Sequence, residues 1–535
     1  MKFSSASLSL TLASLFFLLP VSLALLYPIS FWLGNDYEPL GLANAFNLAF
    51  RLGHHHMYPA IGLTNHPGLP FYYTSWLALA LSGHPFASNP LDFFNSVLDQ
   101  VRTYQLCAIA LTSFVGACGV YLFVRITYPL LPSSVIVLSL AVWLLSTPAT
   151  ITNFLSPSNE AFALVINVLF LLSLFQISRD ERGTTRTIAI AAAVSAVAYL
   201  NKLSYIYVPA ALCASMFAQY GFPLKRIAIL VRSLAMFVVA FVGLVCLVGY
   251  IVIGWDEFRA LLLFHRSVAF RSGLYGAGDQ TLANLEEILK AVYSIPSHRA
   301  FALPLALLAG VGLLIIAGTL LLRSRQPRPE LTVGVGCGTA AALSALFVFK
   351  HYDFHYSAGV SATLPGCVVA YQLLIRRRPS RIKLLLVSAA LLLMAFPVVQ
   401  RLHLYLVDRT ERTNAALLDK DEIAKLNARQ KKVLDYAYRV PFREYGEGFI
   451  LTYAGVEPLT KAYVSDRRGT TNSFVEALVS EEVGAYVIDK SYFPTAEAVK
   501  AAANVDLLGP KSVRYQDGDT LIELRTVFVL LRRAE

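Results

Sequence analysis

The uncharged stretch "SLSLTLASLFFLLPVSLALLYPISFW", Ser7 to Trp32, indicates the class of protein. A helix needs about 20 apolar residues to cross a hydrocarbon core of about 30 Å, and this stretch is long enough. A cleaved signal peptide is the alternative, because Ser22-Leu23-Ala24 offers small residues for cleavage. The apolar run is too long for a typical signal peptide, so we predict an uncleaved anchor. Either interpretation leaves the following loop on the external side of the membrane.

Similar apolar runs recur along the chain and predict an α-helical polytopic membrane protein. We predict eleven spans, at about 10–32, 104–124, 133–147, 159–177, 187–201, 203–220, 228–254, 301–322, 331–349, 357–375 and 384–403. The composition agrees, since 56% of the 535 residues are apolar and only 15% are charged. A soluble protein of this length would need more charge to cover its surface.

The distribution of charge predicts a cytoplasmic N-terminus. With that orientation the internal loops hold 16 basic and three acidic residues, whereas the external positions before residue 401 hold nine basic and eleven acidic residues. Positive charge is retained on the cytoplasmic side of membrane proteins. The net charge of +11 therefore reflects topology and does not indicate a nucleic-acid partner.

Two further observations bear on the compartment. All six cysteines fall within predicted spans, so no disulfide framework or zinc cluster is indicated. No external segment contains an Asn-x-Ser/Thr acceptor for glycosylation. We therefore predict a bacterial inner (plasma) membrane, with the C-terminal region on the periplasmic side.

The chain is predicted to have two domains. Residues 1–403 form a transmembrane domain, with long external loops at about 33–103 and 255–300. Each loop begins with a pattern typical of a helix lying in the membrane interface, and the second continues into a Gly-rich turn.

Residues 404–535 form the predicted soluble domain. They carry balanced charge and alternate strand-like with helix-like patterns, which favours a small external α/β domain. The predicted strands are "FILTY", "AYVID" and "DTLIELRTVFVLLR", and the predicted helices lie at about 412–437, 473–483 and 494–503.

Titratable residues collect at the external ends of the spans. They are Asp36, Glu38, His66, Glu160, Lys202 and the segment "KHYDFHY", Lys350 to Tyr356. Ionisable groups near membrane depth are costly and commonly functional, so their concentration on one side predicts an outward-facing polar cavity. The structural alternatives are solvated loop acids, a turn shaped by His66, and a snorkelling anchor at Lys202.

Cations in this set suit an anionic ligand. Lys350, His351 and His355 occupy one short loop on a side that otherwise carries few cations, and such groups bind phosphate. Arg266 and Arg271 in the second long loop either join them or face lipid headgroups.

The order of these motifs resembles the GT-C superfamily of polytopic glycosyltransferases, near its protein O-mannosyltransferase and aminoarabinose-transferase branch. The acidic "NDYE" follows the first span, and "YPAIGLTNHPGLPFYYTSW" is similar to the family's His-Pro-Pro-Leu stretch. "LSPSNEAFALVINVLFLL", "YLNKLSYIYVPAAL" and "FKHYDFHYSAGVSATLP" resemble three later family segments. The resemblance covers about residues 1–400. It rests on the order of the motifs together with the predicted topology.

The resemblance implies transfer of a sugar from a polyprenyl-phosphate donor to an acceptor hydroxyl, with inversion at the anomeric carbon. Asp36, with Glu38 beside it, is the expected general base. The expected contacts to the donor phosphate are Lys202, Lys350, His351, His355, Arg266 and Arg271, which would stabilise the departing charge. Tyr58, His66 and Glu160 would line the substrate groove.

The resemblance leaves several points open. The acceptor is a glycan, a lipid or a protein, and the sugar is not specified. Some branches of the superfamily use a divalent cation and others do not, so a cofactor stays open.

Two departures from the family pattern affect individual residues. Tyr37 separates Asp36 from Glu38, which the branch often has adjacent, and Gly68 replaces the second Pro of the His-Pro-Pro stretch. The rival functional classes are a lipid or solute transporter and a non-catalytic scaffold of an envelope assembly. A transporter predicts charges near the midplane and internal repeats, neither of which this sequence displays.

Overall fold

A computed structural model describes residues 4–31, 37–50, 68–83, 89–221, 226–253, 258–259, 261–263, 266, 285–324, 328–350, 354–375, 381–430, 434–436, 485–505 and 513–532. The α-helices are Ser5–Leu26, Tyr37–Phe50, Leu69–Leu81, Pro90–Asp99, Val101–Thr127, Ser133–Leu145, Ala149–Leu155, Ala163–Arg179, Thr185–Asn201, Tyr207–Tyr220, Ile227–Val248, Leu285–His298, Ala302–Ser324, Pro329–Lys350, Ser357–Ser361, Leu364–Ile375, Arg381–Gln430 and Ala496–Ala501. Short 3-10 helices cover Asn159–Phe162, Leu203–Ile206 and Phe354–Tyr356, and a π-helix covers Gly249–Ile253. The strands are β1 (Leu434–Tyr436), β2 (Ala485–Asp489), β3 (Thr520–Glu523) and β4 (Val527–Leu531).

The long apolar helices confirm the prediction of a polytopic membrane protein. Within the described residues, eight helices are long and apolar enough to cross a membrane. A ninth span results if Ser133–Leu145 and Ala149–Leu155, which meet at an angle of 72°, count as one broken helix. All eleven predicted runs overlap helices, but the total of eleven spans stays a prediction because some of these helices are short.

The chain divides into two compact units. The first contains the described residues within Met1–Ser22, Thr64–Phe71 and Ile109–His403. The second contains those within Leu23–Leu63, Tyr72–Ala108 and Leu404–Glu535. The predicted domain boundary at residue 403 falls inside the 50-residue helix Arg381–Gln430.

Helices of the first unit approach one another through small residues. A Cβ added to Gly310 would lie 2.6 Å from the Ala342 backbone nitrogen and 2.8 Å from the Gly338 carbonyl oxygen. Helices Ala302–Ser324 and Pro329–Lys350 therefore pack backbone against backbone, as small residues allow within membranes. Side chains such as Val239 and Leu308 face outward and are exposed, which suits contact with lipid.

The helix ends of the first unit lie together in the way that the predicted membrane topology requires. Tyr128, Arg179, Glu330 and Gln372 come from four predicted internal loops or span ends, and they line one common crevice. Glu160, at the opposite end of the Arg179 span, contacts residues from predicted external loops. A helix of this length separates its ends by about 30 Å. The alternation of helix direction thus agrees with the sequence, while the identity of the cytoplasmic side stays a prediction.

The second unit contains a four-stranded sheet of order β1-β2-β4-β3. β1 and β2 are parallel, whereas β4 is antiparallel to both of its neighbours. Alternate side chains point to opposite faces of a strand. Val487 and Val529 pack on one face with Ala416 and Ile423 of the long helix, and Ile488 and its neighbours pack on the other face around Val499 and Val513.

Buried polar contacts attach this sheet to the long helix. The Asp419 carboxylate accepts hydrogen bonds from the backbone nitrogens of Arg525 and Thr526, at 3.0 and 2.6 Å. Arg412, about two turns earlier on the same helix, pairs with Asp489 at the end of β2. The C-terminal portion of the helix is thereby fixed on one face of the sheet, which fits the predicted α/β character.

Several local predictions of the C-terminal region are confirmed. β2 coincides with "AYVID", and the segment 519–532 forms β3 and β4 joined by a tight turn. Helix Ala496–Ala501 lies in the predicted interval 494–503. The predicted strand "FILTY" and the predicted helix at 473–483 lie outside the described residues.

Other local predictions need correction. The helix predicted to reach residue 437 ends at Gln430, and Leu434–Tyr436 is a strand because it pairs with β2. Helix Tyr37–Phe50 exists, but its residues from Glu38 to Phe46 are buried within the protein. This burial against the rest of the protein was not predicted, and the position of the helix in the membrane interface stays a prediction.

The second long loop contains more helix than expected. The described residues 258–259, 261–263 and 266 are helical, in agreement with the predicted helix at its start. Helix Leu285–His298, near the end of the same loop, was not predicted. The Gly-rich turn between them lies outside the described residues.

Candidate functional site

A buried ion pair forms the centre of the candidate site in the first unit. The Lys202 Nζ lies 2.7 Å from the Glu160 Oε1, and the two side chains are 1% and 2% exposed. Glu160 follows Ser158, whose hydroxyl accepts the Glu160 backbone N–H at the start of a 3-10 helix. Lys202 ends helix Thr185–Asn201 in an extended conformation. Two helix ends therefore present opposite charges to each other.

Two tyrosines and a glycine close around this pair. The Tyr205 hydroxyl donates to the Glu160 Oε2 at 2.8 Å, so both carboxylate oxygens accept a hydrogen bond. The Lys202 Nζ lies 3.8 Å from the centre of the Tyr356 ring, within the range of a cation–π contact. A Cβ at Gly359 would approach the Glu160 Oε2 to 2.7 Å. Only a residue without a side chain fits at that position while Glu160 keeps its place.

A reciprocal amide contact joins the two helix ends. The Asn159 side-chain nitrogen donates to the Asn201 carbonyl at 3.0 Å, and the Asn201 side-chain nitrogen donates to the Asn159 carbonyl at 3.1 Å. The Asn201 carbonyl also accepts the backbone N–H of Gly68 at 3.2 Å. Gly68 has a φ of 55°, a left-handed conformation that favours glycine. The middle of the first long external loop is thus attached to the Lys202 turn.

The late cationic segment approaches the same place. The Asn153 side-chain nitrogen donates to the His355 carbonyl oxygen at 3.0 Å. The hydroxyls of Ser357 and Thr147 lie 2.8 Å apart, next to the break in the third predicted span. His355 and Tyr356 are partly exposed, whereas Lys202 is enclosed. His355 is thus more exposed than Lys202 as a residue, although its Nε2 atom is buried.

The electrostatics of the pair favour a positioning role for Lys202. Leaving one member of a buried ion pair without its partner costs about 3–5 kcal/mol. Direct contact between Lys202 and a phosphate would require the ammonium to leave Glu160 or to expose itself beside it. In the conformation described here, Lys202 fixes the orientation of Glu160 and Tyr356 and is itself shielded.

The second predicted acid, Glu38, lies in the second unit. Its side chain is 3% exposed, and its Oε1 accepts a hydrogen bond from the Gln105 side-chain nitrogen at 3.3 Å. The Arg102 guanidinium donates to the Gln105 side-chain oxygen at 2.6 Å. Glu38 stands in the first turn of helix Tyr37–Phe50, two residues after Asp36.

The other predicted residues fall into two groups. Lys350 is the last residue of helix Pro329–Lys350, and Arg266 is exposed in the second long loop. Asp36, Tyr58, His66, Arg271 and His351 lie outside the described residues.

Sequence reasoning missed Tyr205, Gly359 and the Asn159–Asn201 pair, and it included Tyr356 only as part of the segment "KHYDFHY". The signal available for two of them was proximity, because Tyr205 and Asn201 lie within three residues of Lys202. Nothing in the local pattern of residues identified Gly359, whose importance arises from contact with a segment about 200 residues earlier.

The described residues contain no group of three or more His, Cys, Asp or Glu side chains arranged to hold a metal ion. In comparisons with protein-family models, curated proteins and solved structures, nothing matches this chain.

Proposed function

We propose that this protein is an integral-membrane glycosyltransferase. It moves a sugar from a polyprenyl-phosphate donor to an acceptor hydroxyl at the external face of the membrane, with inversion. One observation carries the proposal: Gly68, Glu160, Lys202 and the His355-Tyr356 segment, which are far apart in sequence, converge at one end of the first unit. These are the segments whose order resembles the GT-C pattern.

The chemistry requires a base and a cationic site for the leaving group. In the proposed step the acceptor oxygen attacks the anomeric carbon, and the bond from that carbon to the phosphate oxygen breaks. The polyprenyl phosphate leaves with the electron pair, and the Asp36 carboxylate takes the hydroxyl proton. Cations near His355 stabilise the charge that develops on the phosphate.

The Glu160–Lys202 pair has a positioning role in this proposal. It holds the turn around Lys202 against Tyr356 and keeps the neighbouring His355 at the edge of the site. Because Lys202 is enclosed, we assign the direct phosphate contacts to His355 with Lys350, His351, Arg266 and Arg271. Tyr58 and His66 belong to the proposed acceptor side of the groove.

The membrane location supports this substrate class, since the donor's polyprenyl tail dissolves in lipid while its phosphate stays at the rim. The described cluster lies at helix ends. A transporter would place its ionisable groups near the bilayer midplane, commonly where a spanning helix is broken. The broken helix pair at Ser146 to Pro148 is the one described feature that favours transport.

The test is sugar transfer in membranes containing the wild-type protein or Asp36→Asn. Asparagine keeps the shape of the side chain but accepts no proton, so transfer should fall by at least about a hundredfold. Polyprenyl phosphate should still co-purify with the variant, as detected by mass spectrometry. Full transfer by Asp36→Asn would move the base to another acid. If the wild-type protein shows no sugar transfer and holds no polyprenyl lipid, the proposed function is contradicted and a transporter or scaffold is favoured.

A further inference from the structure

The end of the first unit opposite to the candidate site carries an unassigned crevice. It measures about 850 Å³ and lies between the ends of several helices. A second crevice of about 680 Å³ adjoins it, and Arg179, Phe175, Leu130 and Pro129 line both. Cavities that hold small molecules measure about 300–1,000 Å³. The space is therefore large enough for a lipid headgroup with part of an acyl chain.

The cations of the crevice are available to an anion. Arg179 and Arg186 are exposed, and within the described part of the chain neither makes an ion pair. The Asp180 carboxylate also lines the smaller crevice, but its two oxygens accept hydrogen bonds from the backbone nitrogens of Arg182 and Thr184, at 3.0 and 2.7 Å, rather than from either arginine. Guanidinium groups bind phosphate through two parallel hydrogen bonds.

Two further features point to a ligand with both a polar and an apolar part. The Gln176 side-chain oxygen is buried at the wall of the smaller crevice and accepts no hydrogen bond from the described residues. Such a group is costly when it stays unsatisfied, so it suits a ligand that donates a hydrogen bond. The Phe175 and Leu130 side chains supply an apolar wall beside the arginines.

We propose that this crevice binds a glycerophospholipid of the surrounding membrane. The lipid phosphate contacts Arg179 and Arg186, a hydroxyl or amine of its headgroup donates to Gln176, and an acyl chain lies along Leu130 and Phe175. Basic pockets between helices at the cytoplasmic rim are known to bind lipid headgroups in this way. The site is separate from the proposed glycosyl transfer, and its test does not depend on that function.

The experiment uses the full chain, purified in detergent and depleted of lipid, and titrated with phosphatidylglycerol under native mass spectrometry. Arg179→Ala and Arg186→Ala should each weaken binding by about tenfold or more, the loss expected for a hydrogen bond between charged groups. Arg125→Ala is the matched control, because Arg125 is an exposed arginine at the same end that lines neither crevice. Its binding should stay within about twofold of the wild type, because an exposed charge outside the crevices contributes little to binding there.

Two further arms identify the ligand as a lipid. Leu130→Asn removes apolar surface without changing charge, so it should weaken binding of the phospholipid. Inorganic phosphate at the same concentration should not displace the lipid. Equal losses of lipid affinity in Arg179→Ala and Arg125→Ala would show nonspecific lipid contact and overturn the proposal. Unchanged lipid affinity in both Arg179→Ala and Arg186→Ala would also overturn it. Displacement by inorganic phosphate would also overturn it in favour of a free phosphate site.

Discussion

Glu160 in the first unit and Glu38 in the second are both buried carboxylates at the start of a helix, but their partners differ. Glu160 accepts from the Lys202 ammonium and the Tyr205 hydroxyl, at 2.7 and 2.8 Å. Glu38 accepts from the neutral Gln105 amide nitrogen at 3.3 Å, and the Arg102 guanidinium donates to the oxygen of the same amide at 2.6 Å. A short contact to a cation fixes a carboxylate more firmly than a longer contact to an amide.

This difference predicts a structural role for Glu160 and a role nearer the chemistry for Glu38. The two oxygens of Glu160 are committed to partners that are themselves buried, so the group stabilises the convergence of helix ends. Glu38 stands two residues from the proposed base, and its contact with Gln105 is longer and comes from a neutral donor. Both residues were predicted as site residues, and the structure assigns them different expected roles.

The largest expected effect is on the buried pair. Glu160→Gln and Lys202→Met should each reduce the free energy of unfolding by about 3–5 kcal/mol, because each leaves a buried partner uncompensated. The double variant should recover much of that loss, since no charge then stays unpaired. Chemical denaturation of the purified proteins would measure this.

A matched control is the exposed pair of Glu422 and Lys425, whose atoms also lie 2.8 Å apart but whose side chains are 48% and 63% exposed. Glu422→Gln should leave the unfolding midpoint close to that of the wild type, because exposed ion pairs contribute little to stability. Donor titration separates the roles of Lys202. A rise in the apparent KM for donor in Lys202→Met, without a similar rise in Glu160→Gln, would contradict positioning and restore Lys202 as a direct phosphate contact.

The next effect is on activity and concerns Glu38. Glu38→Gln should reduce sugar transfer by roughly tenfold to a hundredfold, the range of one lost hydrogen bond to a charged group, while the unfolding midpoint stays close to the wild type. The measurement is kcat and KM for transfer together with a denaturation curve. Loss of stability equal to that of Glu160→Gln, with transfer unchanged per folded molecule, would make Glu38 a structural residue too.

The sequence predicted the elements of the site better than their contacts. Apolar runs located the helices, and the alternation of loops placed Glu160, Lys202 and His355 at the same end, because each helix reverses direction. The pattern did not reveal that Glu160 neutralises Lys202, since pairing depends on how two helix ends meet in space. For the same reason it predicted helix at Leu434–Tyr436, where pairing with β2 overrides local preference.

A smaller effect is expected at Gly359. Gly359→Ala would bring a methyl group to 2.7 Å from the Glu160 Oε2 and 3.3 Å from the Tyr205 hydroxyl. Overpacking of this kind costs about 1–3 kcal/mol, although alanine favours helix by about 0.5–1 kcal/mol. The control is Gly243→Ala, in helix Ile227–Val248, where an added Cβ meets no atom within 4 Å. Stability should fall in the first variant and stay equal or rise in the second. A gain in both would mean that Glu160 can move away without cost.

The smallest effect concerns Asp180, which lies at the end of the first unit opposite to the candidate site. Burial tends to raise the pKa of its carboxyl, but hydrogen bonds from Thr184, Thr187 and Arg182 outweigh this and lower the pKa below its usual value. A lowered folded-state pKa means that the charged group stabilises the fold above the unfolded pKa of about 3.9, and that this contribution is lost as the pH falls through the folded-state pKa.

Asp180→Asn should therefore lower the unfolding midpoint slightly at pH 7, by the equivalent of about 0.5–1 kcal/mol for a partly exposed capping contact. The difference from the wild type should shrink at a pH below about 4. The control is Glu181→Gln, which removes the same charge from the next residue, an exposed side chain. Equal shifts of the unfolding midpoint in the two variants at pH 7 would mean that the total charge at this end of the unit causes the effect. The Asp180 hydrogen bonds would then contribute nothing specific.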